Sequence, residues 1–237
     1  KTNPAKVVFY DTNGTYLKDV QVGSLPDMLT FTPDGSKVLV ANEGESNTVV
    51  DPEGSVSIID LSGGVNNLTQ ANVATADFTS FNGLEAQLRA DGVRIFPGKT
   101  AAQDFEPEYI AVSADGQTAY VTLQENNTVA VIDIASATVT ALQPLGLKDH
   151  SLVGNGLDTS DRDSAININT WPVFGMYMPD AIATFSANGQ TYYVTANEGD
   201  DRGENRSVRN LTLDPTAFPN GATLKLDQNL GRLSVSS

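Results

Sequence analysis

Three segments of the chain repeat one plan, and this self-similarity limits the fold more than any other feature. Pro26-Asp27-Met28-Leu29 leads through Asp34-Gly35 to Val38-Leu39-Val40-Ala41-Asn42-Glu43-Gly44-Glu45. Pro107-Glu108-Tyr109-Ile110 leads through Asp115-Gly116 to Val121-Thr122-Leu123-Gln124-Glu125. Pro179-Asp180-Ala181-Ile182 leads through Asn188-Gly189 to Val194-Thr195-Ala196-Asn197-Glu198-Gly199-Asp200. In each, proline and an acid open an apolar strand, a turn follows, and a second apolar strand runs into an acidic loop. Asp-Gly and Asn-Gly between two such runs signal a hairpin, because these residues tolerate positive φ.

A third strand is expected at Ser55-Val56-Ser57-Ile58-Ile59-Asp60 and at Thr128-Val129-Ala130-Val131-Ile132-Asp133, with an earlier copy at Val7-Val8-Phe9-Tyr10-Asp11. Fourth strands read at residues 16–22, 73–78 and 138–142. Apolar residues occupy both faces of several strands, as in sheets sandwiched between other sheets. Four antiparallel strands per repeat, stacked face to face, make an all-β propeller.

The repeats are unevenly spaced: Pro26 to Pro107 is 81 residues and Pro107 to Pro179 is 72. A bare blade needs roughly 40–50, so the chain reads as one propeller segment with insertions. Blade cores are placed at 26–78, 107–146 and 179–237, and insertions at 79–103, 147–178 and 202–229. The first insertion holds a short amphipathic helix over 84–90, stopped by Gly92. The chain opens inside a third strand, and Arg232-Leu233-Ser234-Val235-Ser236 resembles the opening of another. About three blade equivalents fall short of the roughly 4–8 that close a ring. The expected partner at the cut blade edges is therefore the remainder of a longer propeller or another chain.

Composition removes several functions. Asp plus Glu number 29 against 14 Lys plus Arg, a net charge of −15. So negative a surface repels phosphate backbones, and no nucleic-acid partner is expected. With no Cys and a single His, His150, disulfides, thiolate chemistry and multi-histidine zinc sites are excluded. No nucleotide or haem cofactor is expected, and no Gly-rich phosphate loop leads from a strand into a helix. No apolar run is long enough to span a membrane. A metal site here must use oxygen ligands, which points to calcium, with magnesium as the alternative.

Further segments are too irregular to follow from propeller periodicity. Asp51-Pro52-Glu53-Gly54-Ser55, Glu106-Pro107-Glu108-Tyr109, Lys148-Asp149-His150-Ser151-Leu152, Gly156-Leu157-Asp158-Thr159-Ser160-Asp161-Arg162-Asp163 and Trp171-Pro172-Val173-Phe174-Gly175-Met176-Tyr177 resemble the choice-of-anchor I family of YVTN-like surface propellers. The family includes animal relatives named mesenchyme-specific cell surface glycoproteins. The resemblance spans nearly the whole chain. It implies a secreted or cell-surface protein and carries over no catalytic residues. Some members bear alkaline phosphatase labels.

In a propeller, the loop into strand one and the loop between strands two and three share a face. Asp27, Glu108 and Asp180 therefore belong with Glu43, Glu45, Glu125, Glu198 and Asp200, and residues 148–163 are expected on that face too. The densest oxygen set, Asp158, Asp161 and Asp163 near Asn167, is the first calcium candidate; Glu43, Glu108, Asp180, Glu198 and Asp200 are weaker ones. Asp200-Asp201-Arg202-Gly203-Glu204 is a further weak acidic site. The alternative is a loop rich in Asx turns, its acids capped by Arg162 and backbone amides. His150, with Lys148 and Arg162, is the candidate catalytic group if the chain hydrolyses phosphate esters; otherwise it braces its loop. Trp171, Phe174, Tyr177 and Met178 read as an aromatic patch, buried under the insertion or free to stack a sugar.

Two functions remain. One is a binding module that takes calcium and an unidentified surface ligand on its acidic face. The other is a metal-dependent phosphoesterase, like an alkaline phosphatase or phytase, using the same carboxylates. The scarcity of basic residues beside the acids favours binding.

Overall fold

The computed structural model describes residues 1–47, 49–200, 203 and 205–236. In chain order, strands β1 (Pro4–Tyr10) and β2 (Tyr16–Ser24) precede β3 (Pro26–Phe31), β4 (Lys37–Asn42), β5 (Ser55–Asp60) and β6 (Val73–Asp77). Helices α1 (Glu85–Ala90) and α2 (Ala101–Asp104) lead into β7 (Pro107–Val112), β8 (Thr118–Leu123), β9 (Thr128–Asp133) and β10 (Thr138–Pro144). The chain continues through β11 (Leu147–Asp149), β12 (Phe174–Met176), β13 (Pro179–Ala187), β14 (Gln190–Asn197), β15 (Asn205–Ser207), α3 (Gly221–Leu224) and β16 (Ser234–Ser236).

Two compact units result, one of residues Lys1–Gly146 with Tyr177–Gly199, the other of Leu147–Met176 with Asp200–Ser237. In the first unit, β3-β4-β5-β6 and β7-β8-β9-β10 are four-stranded antiparallel sheets, each strand paired with its sequence neighbour. These are the expected all-β propeller blades. β1-β2 and β13-β14 are two-stranded half-blades at either side. The first strand of the second blade, β7, packs between β3 and β13.

Local chemistry sets the hairpins. Asp34 Oδ1 accepts from Thr32 Oγ1 at 2.6 Å and from Ser36 N at 3.0 Å, while Gly35 takes φ 69°. These bonds favour the ionised carboxylate and hold its pKa down to about 2. Asp115 repeats the arrangement with Ser113 Oγ and Gln117 N. The third turn uses another solution: Asn188 and Gly189 both take positive φ between the paired Ala187 and Gln190, as a two-residue type I′ hairpin requires.

Apolar side chains on both strand faces fill the spaces between sheets. Leu39, Val56 and Ile58 of the first blade pack with Ile110, Val121 and Ile132 of the second. Val7, Val20 and Val22 pack on Val38, Val40 and Ile59. Ala111 and Val129 pack on Ile182. The first insertion joins the largest cluster through Leu88, Val93 and Ile95, and just after it Phe105 lies edge-on to Phe78 at 5.2 Å. Its helix forms where expected, and Gly92 at φ 99° ends it.

The second unit has a small core: Val208, Leu224 and Leu230 under Trp171, Val173, Phe218 and Leu233. Its strands pair as β11-β12 and β15-β16. Ser234–Ser236, read from sequence as part of an opening third strand, instead pairs with Asn205–Ser207. A short polar strand carries no local mark of its partner, so its pairing depends on which edge the fold presents. Among the described residues no helix is long and apolar enough to cross a membrane.

Candidate functional site

The first unit gathers acids where its strands one begin and its strands two end. Asp27 opens β3, Glu108 opens β7 and Asp180 opens β13. Glu43 follows β4, Glu125 follows β8 and Glu198 follows β14. The loops recur in detail. Leu25 and Met178, each just before the opening proline, take positive φ (50° and 45°). Their carbonyls accept from Glu43 N at 2.9 Å and Glu198 N at 3.4 Å. A non-glycine residue pays about 1–2 kcal/mol for that conformation, and here it sets the acidic loop beside the strand opening.

Glu108 is the electrostatic centre. Burial first, then the charges of Glu125, Glu43, Asp27 and Asp180, push its carboxyl up to about 9. Glu43 is pushed up to about 7 by burial and by Glu45, Glu125 and Asp27, against the pull of Lys1. Asp27 is raised by burial and by Asp180. The charges at the neighbouring strand openings, Asp27 and Asp180, are thus near enough to Glu108 to resist its ionisation. Lys1 ion-pairs with Glu45, and Gln124 Nε2 donates to Glu198 Oε2 at 3.4 Å. Neither residue stood out in the sequence: Lys1 lies far from Glu45 along the chain, and Gln124 reads as part of a strand end. Glu108 forms no ion pair with a described residue.

The remaining candidates lie in the second unit, Asp200 included. Asp158, Asp161 and Asp163 are not brought together as a ligand set. Asp161 forms an ion pair with Arg232. Asp158 accepts from Asn167 N at 3.1 Å, and Asp163 from Ala165 N at 3.1 Å. These are the loop-capping roles that short acidic side chains take readily, though Arg232 rather than Arg162 is the principal cation. Among the described residues no three Asp, Glu or His side chains converge closely enough to hold a metal ion. Asp201, Arg202 and Glu204 lie outside the described residues.

His150 is nearly buried, its Nδ1 2.7 Å from the Asn155 carbonyl. Its Nε2 packs so tightly over Gly175 that a Cβ there would lie 2.7 Å away. Asp149 accepts from Ser151 N at 2.8 Å; Lys148 and Arg162 are exposed. This is the geometry of an imidazole bracing its loop. The aromatic patch divides: Trp171 packs on the second unit's core and donates Nε1 to the Leu157 carbonyl at 2.9 Å, while Phe174 is exposed. Tyr177 and Met178 belong to the first unit, their amides bound by Asn127 Oδ1 at 2.9 and 3.0 Å.

Among solved structures, the chain is similar to Kuenenia stuttgartiensis hydrazine synthase at 13% identity and TM-score 0.39, over 81% of this chain and 52% of that one. It is similar to the β-propeller domain of the Trilobed protease from Pyrococcus furiosus, which has an open velcro topology, at 12% identity and TM-score 0.34, over 62% and 38%. It is also similar to dihydro-heme d1 dehydrogenase NirN in complex with DHE, at 13% identity and TM-score 0.37, over 83% and 48%. The chain therefore spans about half or less of the length of these proteins. No curated protein sequence matches it. The choice-of-anchor I domain matches residues 1–237, the whole sequence, and with blades built as that resemblance implied, the chain belongs to the choice-of-anchor I domain family.

Proposed function

We propose that this chain is part of a secreted or cell-surface propeller module whose acidic mouth binds a divalent cation, calcium first, and through it a ligand or partner. The observation that carries the reading is Glu108. It is half-buried at the opening of the second blade, under the negative field of Glu125, Glu43, Asp27 and Asp180. Such a field is relieved by a proton or by a bound cation, and at neutral pH in a calcium-containing medium the cation competes well. Calcium accepts roughly 6–8 oxygen ligands in flexible geometry. Carboxylates spaced around a mouth suit an ion that keeps some of its water and uses backbone carbonyls as well. Affinity in the extracellular range, Kd about 10⁻⁴–10⁻³ M, is the expectation.

Calorimetric titration of the whole chain with calcium chloride tests this. Saturable millimolar binding should weaken at least about tenfold in the Glu43→Gln/Glu108→Gln variant, as expected when charged ligands are lost. The Asp158→Asn/Asp163→Asn variant should bind as the wild type does. Loss of binding only in the latter would move the ion to the second unit. No heat of binding in any variant would refute the cation altogether.

A further inference from the structure

The second unit folds one short stretch of chain into a pocket of its own. Residues between 211 and 225 line a cavity of about 360 Å³, within the roughly 300–1,000 Å³ of small-molecule sites. No residue of the first unit takes part. Leu211, Leu213 and Phe218, each half-buried, supply apolar wall, and Pro215, Pro219 and Lys225 complete it.

Local bonds hold this wall in shape. Asp214 Oδ1 accepts from Thr216 N at 2.6 Å and from Ala217 N at 3.1 Å. Phe218 N donates to the Asp214 carbonyl at 2.8 Å, and Gly221 N to the Phe218 carbonyl at 2.9 Å. The proline rings fix φ at 215 and 219. A pocket braced by its own turns loses little freedom when a ligand enters.

Lys225 gives the pocket its chemistry. The residue is half-buried, and its Nζ donates to the Leu211 carbonyl at 2.6 Å. It forms no ion pair with a described residue. The two acids closest to it in sequence are engaged elsewhere, Asp214 in its turn and Asp227 with Arg209 at 3.2 Å. A lysine ammonium has three donors, and a neutral carbonyl satisfies one without neutralising the charge. The backbone N–H groups of Thr212 and Leu213, on the same stretch of wall, donate to no described group.

We propose that this pocket binds a small carboxylate carried on an aromatic or branched aliphatic body. The apolar body lies against Leu211, Leu213 and Phe218, and the carboxylate pairs with the Lys225 ammonium. An amine would be repelled by Lys225. A neutral apolar molecule would cover the ammonium without pairing it, which is unfavourable. A phosphate ester would call for the bidentate guanidinium that a lysine does not offer.

Phenylacetate and its neutral isostere phenylacetamide test the proposal on the whole chain. The readout is the methyl resonances of Leu211, Leu213 and Ala222. Phenylacetate should shift them with a Kd of about 1 mM, as expected for a ligand of about ten heavy atoms. Phenylacetamide should bind about fivefold more weakly, the loss of a charge-assisted hydrogen bond. Lys225→Met should remove the preference for the acid, and Lys225→Arg, which keeps the charge, should retain it. Gly221→Val should abolish binding of both probes by filling the pocket. A Cβ at Gly221 meets Leu213 and Phe218 at ordinary contact distances of 3.4–3.8 Å, so the fold tolerates it. Ala222→Leu is a second filling variant. The proposal is overturned if these methyls do not move up to about ten times that Kd. It is overturned equally by equal affinity for acid and amide, or by a preference for the acid that survives Lys225→Met.

Discussion

The Asn126 side-chain amide donates to the Asp104 carboxylate at 2.7 Å, and both side chains are closed off from solvent. Asp104 ends α2, just past the first insertion, whereas Asn126 sits in the loop between β8 and β9 of the second blade. The same amide donates to the Arg94 carbonyl at 2.7 Å, and Asp104 also accepts from Phe96 N at 3.2 Å. The insertion is thereby fastened to a blade loop.

Asp104→Ala should lower unfolding free energy by about 3 kcal/mol, because it leaves buried donors without their charged acceptor. Urea titration followed by fluorescence measures it. Asp161→Ala removes a solvent-exposed pair with Arg232 and should leave the midpoint nearly unchanged.

Gly54 stands where the chain enters β5, and a Cβ there would lie 1.9 Å from the Phe105 carbonyl oxygen and 2.7 Å from Pro107 Cδ. Backbone cannot swing away as a flexible side chain can. Gly54→Ala should cost about 2–3 kcal/mol, read as a lowered melting temperature. Gly63→Ala, with open space around its Cβ, should cost much less.

Glu108 and Glu43 hold their protons in the folded chain to about pH 9 and about pH 7, above the ordinary glutamate value of 4.5. Between those limits the folded state binds protons that the unfolded state has released. Their contribution to stability is therefore largest below about pH 4.5, declines as pH rises, and levels off above about pH 9. Melting temperatures across this window, with calcium chelated, should fall less steeply in Glu108→Gln than in the wild type. Identical slopes would remove Glu108 as the cause.

Calcium should counter that decline, because it replaces the protons that the mouth loses. At tenfold excess over Kd, binding to the folded state adds about 1.4 kcal/mol. The gain in melting temperature should be larger at pH 8 than at pH 5, where protons compete. A gain independent of pH would place the ion away from these carboxylates.

Strands and turns were legible because their determinants are local. Asp34-Gly35 and Asn188-Gly189 specify hairpins through their own φ preferences, and apolar residues on both faces of β4 and β5 announce burial between sheets. The acidic mouth was partly legible. Repeat position placed Asp27, Glu108 and Asp180 in equivalent sites, but not the burial that makes Glu108 differ from exposed Asp180. The Asp158, Asp161 and Asp163 run looked like ligands by proximity along the chain. Arg232, distant in sequence, takes Asp161.

The sequence by itself determined the repeat, the hairpin turns, the four-strand order of the blades and the family. Each follows from neighbouring residues or from recurrence. Only the tertiary structure decided that Ser234–Ser236 pairs with Asn205–Ser207, that Asp104 meets Asn126, and that 147–176 and 200–236 share a core of their own. Those outcomes depend on which edges and donors the folded chain leaves available. A hydrogen-bonding group or a short strand carries no local mark of the partner that packing will bring to it.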